Sequence, residues 1–130
     1  MGNRAVIAIE KEGVPKEYSP AIYVHWNGGR DSIEAFLEAA KRMGVRLNED
    51  DYFLARLTQL ITNFFGGTLS VGVGNYCSLD TNNYDNGVYW LKNGEIVGRE
   101  FAPEEEQTGH DFEEMVEEVL NRTSTEGALA

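Results

Sequence analysis

The chain has 130 residues and a formal net charge of −11, with 42% hydrophobic and 25% charged side chains. That length and apolar content fit one globular domain and argue against wholesale disorder. The charge argues against direct binding of DNA, RNA or an anionic membrane face, whose phosphates would repel it, and favours a basic protein surface or a metal ion.

A lone cysteine, Cys77, allows no internal disulfide, which fits a reducing compartment. The N-terminal "MGNRAVIAIE" lacks the long apolar core of a signal peptide. No apolar run approaches the roughly 20 residues of a membrane span. A cytoplasmic location without membrane contact is therefore expected.

In chain order, "RAVIAIE" (4–10) alternates, with Ala5, Ile7 and Ile9 on one face of a half-buried strand. "AIYVHW" (21–26) reads as its hairpin partner, and "NGG" ends it. A helix follows, with Asp31 and Glu34 at capping-box spacing, a stripe of Ile33, Phe36, Leu37, Ala40 and Met43, and Gly44 as its stop. A second helix starts near Asn48, buries Phe53, Leu57, Leu60, Ile61 and Phe64, and ends at Gly66-Gly67.

Alternation returns in "TLSVGVGNYCSL" (68–79), which puts Leu69, Val71, Val73, Cys77 and Leu79 on one strand face. "DTNNYDNG" (80–87) is loop chemistry. "VYWLK", "NG" and "EIVGREF" make a hairpin with the dipeptide of a type I′ turn. The last helix spans 110–122, with Phe112, Met115, Val116, Val119 and Leu120 inward. The order ββααβββα predicts a single α+β domain over 1–124, an antiparallel sheet of about five strands with three helices, and a frayed tail at 125–130.

Signals for catalysis are sparse. Cys77 with His25 or His110 could in principle form a nucleophile–base pair, but Cys77 is expected on the apolar face of a strand, without a basic neighbour to lower its pKa. "WNGGRDS" (26–32) sets glycines and an arginine before a helix, where phosphate can bind. Asp31 would place a negative charge there, and the spacing matches no nucleotide fingerprint, so a chain turn is the better reading. "NEDD" (48–51) and "DTNNYDN" (80–86) lack the spacing of a calcium loop, and two histidines and one cysteine leave few zinc ligands. No catalytic residue, metal or cofactor is assigned.

Two features point to a partner instead. "NYCSLDTNNYDNGVYW" (75–90) interleaves Tyr76, Tyr84, Tyr89 and Trp90 with asparagines, the composition of binding loops, although inward-facing tyrosines on a strand connection would give the same pattern. The charge is also unevenly spread. Residues 95–120 hold ten acids against Arg99, a net −9 of the chain's −11. In the last helix, Glu113 and Glu117, and likewise Glu114 and Glu118, are like charges at i,i+4, an arrangement unfavourable to the helix itself. Carboxylates one helical turn apart lie about 5–6 Å from each other, comparable with successive phosphates on a nucleic-acid strand. Glu104, Glu105, Glu106, Asp111, Glu113, Glu114, Glu117 and Glu118 are therefore candidate partner-binding residues for a basic nucleic-acid-binding groove, with Tyr84 adding short-range contact. An incidental acidic face remains the alternative.

The segments "MGNRAVIAIE", "AIYVHWNGGRDSIEAFLEAA" and "LARLTQLITNFFGGTLSVGVG" together resemble a family of small proteins of bacteria, phages and other mobile elements that includes anti-CRISPR inhibitors of type I effectors, those of type I-C most of all. The resemblance covers residues 1–75, mostly fold-determining sequence, and carries over no functional residue. It implies a context, antagonism of a nucleic-acid-guided defence complex; joined to the acidic surface, the leading reading is a non-catalytic inhibitor that acts as a DNA mimic and blocks target-DNA binding by a type I CRISPR effector. The other readings are a mobile-element protein that binds another partner without DNA mimicry, and a small enzyme using Cys77 and His25.

Overall fold

A computed structural model describes residues 3–123. The expected frayed tail, residues 125–130, lies outside the described residues. Strands β1 (Ala5–Ile9), β2 (Pro20–Val24), β3 (Val71–Asn75), β4 (Val88–Lys92) and β5 (Glu95–Glu100) form one sheet in the order β3-β2-β1-β4-β5. Helices α1 (Arg30–Arg42) and α2 (Asp50–Phe65) fall between β2 and β3, and α3 (Phe112–Thr123) closes the described chain. The α+β class and the ββααβββα order are as expected.

One pairing differs from the expectation of a wholly antiparallel sheet. β1 runs parallel to β4, with Val6 opposite Val88 and Ile9 opposite Leu91. The reason lies in residues 76–87, the connection between the parallel strands β3 and β4. A return to the same end of a sheet needs about a dozen residues, and this segment supplies them by crossing the face away from the helices. A short 3₁₀ turn (Tyr76–Ser78) and Leu79 lie over Val6, Ala8, Ala21, Val88 and Trp90. β1 is therefore buried on both faces, not half-buried, as its unbroken "AVIAI" run suits.

The helices cover the other face, where Ile7, Ile22, Phe36, Leu57, Val116 and Val119 share one core. Full burial of side chains of this size contributes about 1.5–3 kcal/mol each. The stripes of α1 and α2 are as expected, and Phe36 and Phe64 meet edge to face at 5.4 Å. α1 ends in a Schellman turn: Val45 N–H reaches Ala40 O and Gly44 N–H reaches Lys41 O, both at 3.1 Å. In α3, Met115, Val116 and Val119 are buried, whereas Phe112 is 41% exposed at the rim of a groove with α1. No helix among the described residues is long and apolar enough to cross a membrane.

Several local expectations are corrected. β3 is five residues long rather than twelve, because it is an edge strand whose inward side meets the core only through Val71. Leu69 before it is fully exposed and Val73 is 64% exposed. Cys77 is exposed on the 3₁₀ turn rather than buried in a strand. The capping box expected at Asp31 and Glu34 does not form: α1 starts after Gly29 without a side-chain cap, as α2 does after Glu49.

Two glycines separate packing from backbone conformation. A Cβ at Gly28 would lie 2.5 Å from Asn3 O and 2.8 Å from the Ala5 Cβ, a clash with backbone and a central strand. Gly44, at φ +76°, has nothing within 4 Å. Gly28→Ala is expected to cost about 1–3 kcal/mol through overpacking, and Gly44→Ala about 1 kcal/mol through conformation alone; urea midpoints of the two variants measure both.

Candidate partner-binding surface

Between β5 and α3, residues 101–111 form a strap without regular secondary structure. Glu106 pins its middle. Its carboxylate accepts from Arg30 Nη1 at 3.0 Å and, through the other oxygen, from Arg99 Nη1. Burial pushes the Glu106 carboxyl up, but the two guanidinium groups outweigh it and hold it below its ordinary 4.5. Arg99 also donates to Val88 O at 2.9 Å and to Asn86 O, and lies 3.7 Å over the Tyr89 ring. The buried Tyr89 phenol donates to Gly28 O at 2.6 Å, and burial pushes its pKa up.

The next residues close the N-terminus of α1. Gln107 O accepts from the Asp31 N–H at 3.0 Å, and the Gln107 side chain covers Gly29. The Asp31 carboxylate, 7% exposed, accepts from the Ser32 N–H at 2.7 Å and from the His110 N–H and Nδ1, both at 2.9 Å. Burial would raise the Asp31 carboxyl, yet these donors hold it below 3.8. The phosphate alternative at "WNGGRDS" is thereby removed. A carboxylate and a carbonyl already occupy the place an anion would take.

The strap and α3 carry every acidic candidate, and the fold divides them. Arg42 of α1 pairs with Glu113, and Arg122 pairs with Glu118 at 2.9 Å. Glu95 and Glu100 meet Lys41 and Lys16 at 3.5 and 3.0 Å. Asp111 is the N-cap of α3 rather than a residue of its first turn, its carboxylate accepting from the Glu114 N–H at 2.9 Å. Together with Glu106, five of the ten acids in 95–120 are thus ion-paired. Glu104, Glu105, Glu114 and Glu117 are exposed and form no ion pair among the described residues. The uniform acidic surface expected from the sequence is therefore a smaller set. Surface pairing of this kind redistributes charge more than it stabilises.

The Tyr/Asn segment divides as well. Tyr89 and Trp90 are buried, and Tyr76 stacks on Trp90 at 5.3 Å. Tyr76, Lys16 and Trp90 all donate to Glu100 beneath the crossover. Tyr84 alone stands out, 87% exposed and held at φ +63°. That conformation is a genuine outlier for a bulky side chain, of a kind that costs about 1–3 kcal/mol. It is enforced from below. Buried Asn83 accepts from the N–H groups of Asp85, Asn86 and Gly87 at 3.1, 3.2 and 3.0 Å, and the Asn86 side chain donates to Arg4 O at 3.1 Å.

Beside Tyr84, a cleft of about 330 Å³ opens onto Trp26, Asp85, Pro103 and Glu105. Trp26, 46% exposed, precedes Asn27, another residue at positive φ. Sequence reasoning missed Trp26 because it read as the end of a strand; the adjoining Asn-Gly-Gly turn was the available signal.

Cys77 and His25 are not brought together. They follow opposite ends of the five-pair β2–β3 ladder, roughly 13 Å long at the usual strand rise, and His25 Nδ1 is hydrogen-bonded to Tyr23 OH at 3.0 Å. His110 is bound to Asp31 instead. Among the described residues, no three His, Cys, Asp or Glu side chains are placed to hold a metal ion.

Comparison of the chain with protein-family models, with curated proteins and with solved structures gives no match.

Glu106→Gln leaves Arg30 and Arg99 short of their shared acceptor and is expected to cost about 2 kcal/mol, whereas Glu104→Gln stays within about 0.5 kcal/mol of the parent; chemical denaturation distinguishes them. Asp31 titrates lower folded than unfolded, so its contribution is complete above 3.8 and fades as pH falls through its folded value. The destabilisation by Asp31→Asn, read from urea midpoints, should therefore be largest near neutral pH and shrink below pH 3.8.

Proposed function

We propose that the protein is a non-catalytic, anti-CRISPR-like inhibitor that binds a basic nucleic-acid-binding groove on a type I effector subunit and competes with target DNA. The observation that carries this reading is the set of exposed carboxylates, unpaired among the described residues, on a rigid frame: Glu114 and Glu117 on α3, which is docked through Met115, Val116 and Val119, and Glu104 and Glu105 on the pinned strap. Backbone held in place loses little entropy when its carboxylates meet a cationic groove, and complementary charge speeds encounter and excludes wrong partners. The CRISPR context rests on the sequence resemblance, which is independent of the charge argument.

A second reading follows from the internal pairing of half the acids and from the displayed Tyr84: a binding protein for another partner, with contact dominated by short-range chemistry rather than phosphate mimicry. It predicts that α3 can be neutralised without loss.

The two separate in a pull-down of a type I-C effector complex with and without target DNA. Competition by DNA supports mimicry; indifference to DNA favours the second reading. In the same assay Glu114→Lys with Glu117→Lys is expected to weaken capture at least tenfold and to flatten its salt dependence, while the fold is preserved because neither residue holds an ion pair among the described residues. Undiminished capture by this double variant would remove α3 from the interface.

A further inference from the structure

The cleft at Trp26 and Tyr84 has the chemistry of a receptor for one particular side chain. We infer that it binds an arginine side chain presented by a partner protein, stacked on the two aromatic rings with its guanidinium held by Glu105. This inference does not depend on the identity of the partner, nor on the reading of α3.

Four observations converge on it. The cleft is walled by two large rings that the fold leaves open to solvent, Trp26 at 46% and Tyr84 at 87% exposure. The charged side chains lining it are Asp85 and Glu105, with neither lysine nor arginine among them. Asp85 is already engaged by Arg4 at 2.8 Å, but Glu105 is exposed and forms no ion pair among the described residues. Finally, Tyr84 sits at φ +63° on a loop held from below by Asn83, and Asn27, next to Trp26, sits at φ +56°.

The chemistry selects arginine over other occupants. Aromatic faces carry negative quadrupoles that attract a cation, and a flat guanidinium can stack on a ring while its N–H groups reach a carboxylate in the plane. A lysine ammonium, compact and strongly hydrated, gains less from two rings and one acid. An anionic ligand would meet Glu105 and Asp85 and be repelled. Neutral planar groups would stack but leave the Glu105 carboxylate without a counter-charge.

Tyr84 gives the argument its sharpest form. A ring that is nearly fully exposed adds little to the core, and its backbone conformation is one that glycine adopts without strain. A tyrosine this exposed on left-handed backbone is displayed to solvent rather than packed.

The test uses the intact chain, ¹⁵N-labelled, titrated with N-acetyl-arginine methylamide and, in parallel, with its lysine and citrulline counterparts. The arginine probe is expected to shift the Trp26 indole N–H and the Tyr84 and Glu105 amides saturably at millimolar concentration. The citrulline probe should bind at least fivefold more weakly. Tyr84→Gly should reduce arginine binding at least fivefold while leaving Tm unchanged or higher, and Glu105→Gln should reduce it with Tm unchanged. The inference is overturned if citrulline shifts the same resonances equally, if binding survives Tyr84→Gly within twofold, or if Tyr84→Gly lowers Tm, which would show the ring to be held for packing.

Discussion

The Glu106 carboxylate, held between Arg30 at the start of α1 and Arg99 on β5, is the constraint on which the arrangement of this protein turns. Eleven residues without regular secondary structure run from β5 to α3. Their course is set at Glu106, at Gln107 and at His110, each bonded to the N-terminal turn of α1. Arg99 extends the same network into the sheet, binding the carbonyls of Asn86 and Val88 and covering Tyr89. The strap, the crossover loop and α1 are thereby fixed to one another. Removing one charge from a partly buried cluster of this kind leaves its partners uncompensated, so the cluster behaves as a unit.

This arrangement changes what the acidity of the chain means. Charge counted along the sequence puts a net −9 in residues 95–120. Charge counted in space does not, because Arg30, Lys41 and Arg42 of α1 and Lys16 lie against those acids. The like-charge pairs of α3 are relieved in the same way: Glu113 by a residue far away in sequence, Glu118 by one a turn away. What stays free for a partner is a smaller set, on α3 and on the strap. For the proposed basic partner, electrostatic attraction would then rest on fewer groups, with more of the specificity left to shape and aromatic contact.

The aromatic residues follow a similar logic. The crossover from β3 to β4 turns Tyr76 and Leu79 down onto the sheet and Asn83 and Asn86 inward to satisfy backbone groups. Tyr84 is the one aromatic residue the loop turns outward, and its backbone is strained in doing so. A rigid aromatic at the edge of a cleft loses little freedom on binding, which is the property that makes tyrosine and tryptophan effective anchors.

Much of the fold was legible from local pattern. Periodicity located all three helices, Gly44 and Gly66 marked the ends of two of them, and Asn93-Gly94 marked the β4–β5 hairpin, because these signals depend on neighbours within a few residues. The partner-binding candidates were legible only as a composition: eight acids and Tyr84. Which acids are paired, whether Cys77 meets His25, and that Trp26 joins Tyr84 across 58 positions all required the chain to be folded. The parallel pairing of β1 with β4 was hidden for the same reason, since strand direction follows from the path of a twelve-residue crossover and not from the strands themselves. By itself the sequence determined element type and order, since hydrophobic period and turn chemistry are local. Tertiary structure alone decided charge pairing, strand direction and the aromatic cleft, since each arises between residues that only packing brings within a few ångströms.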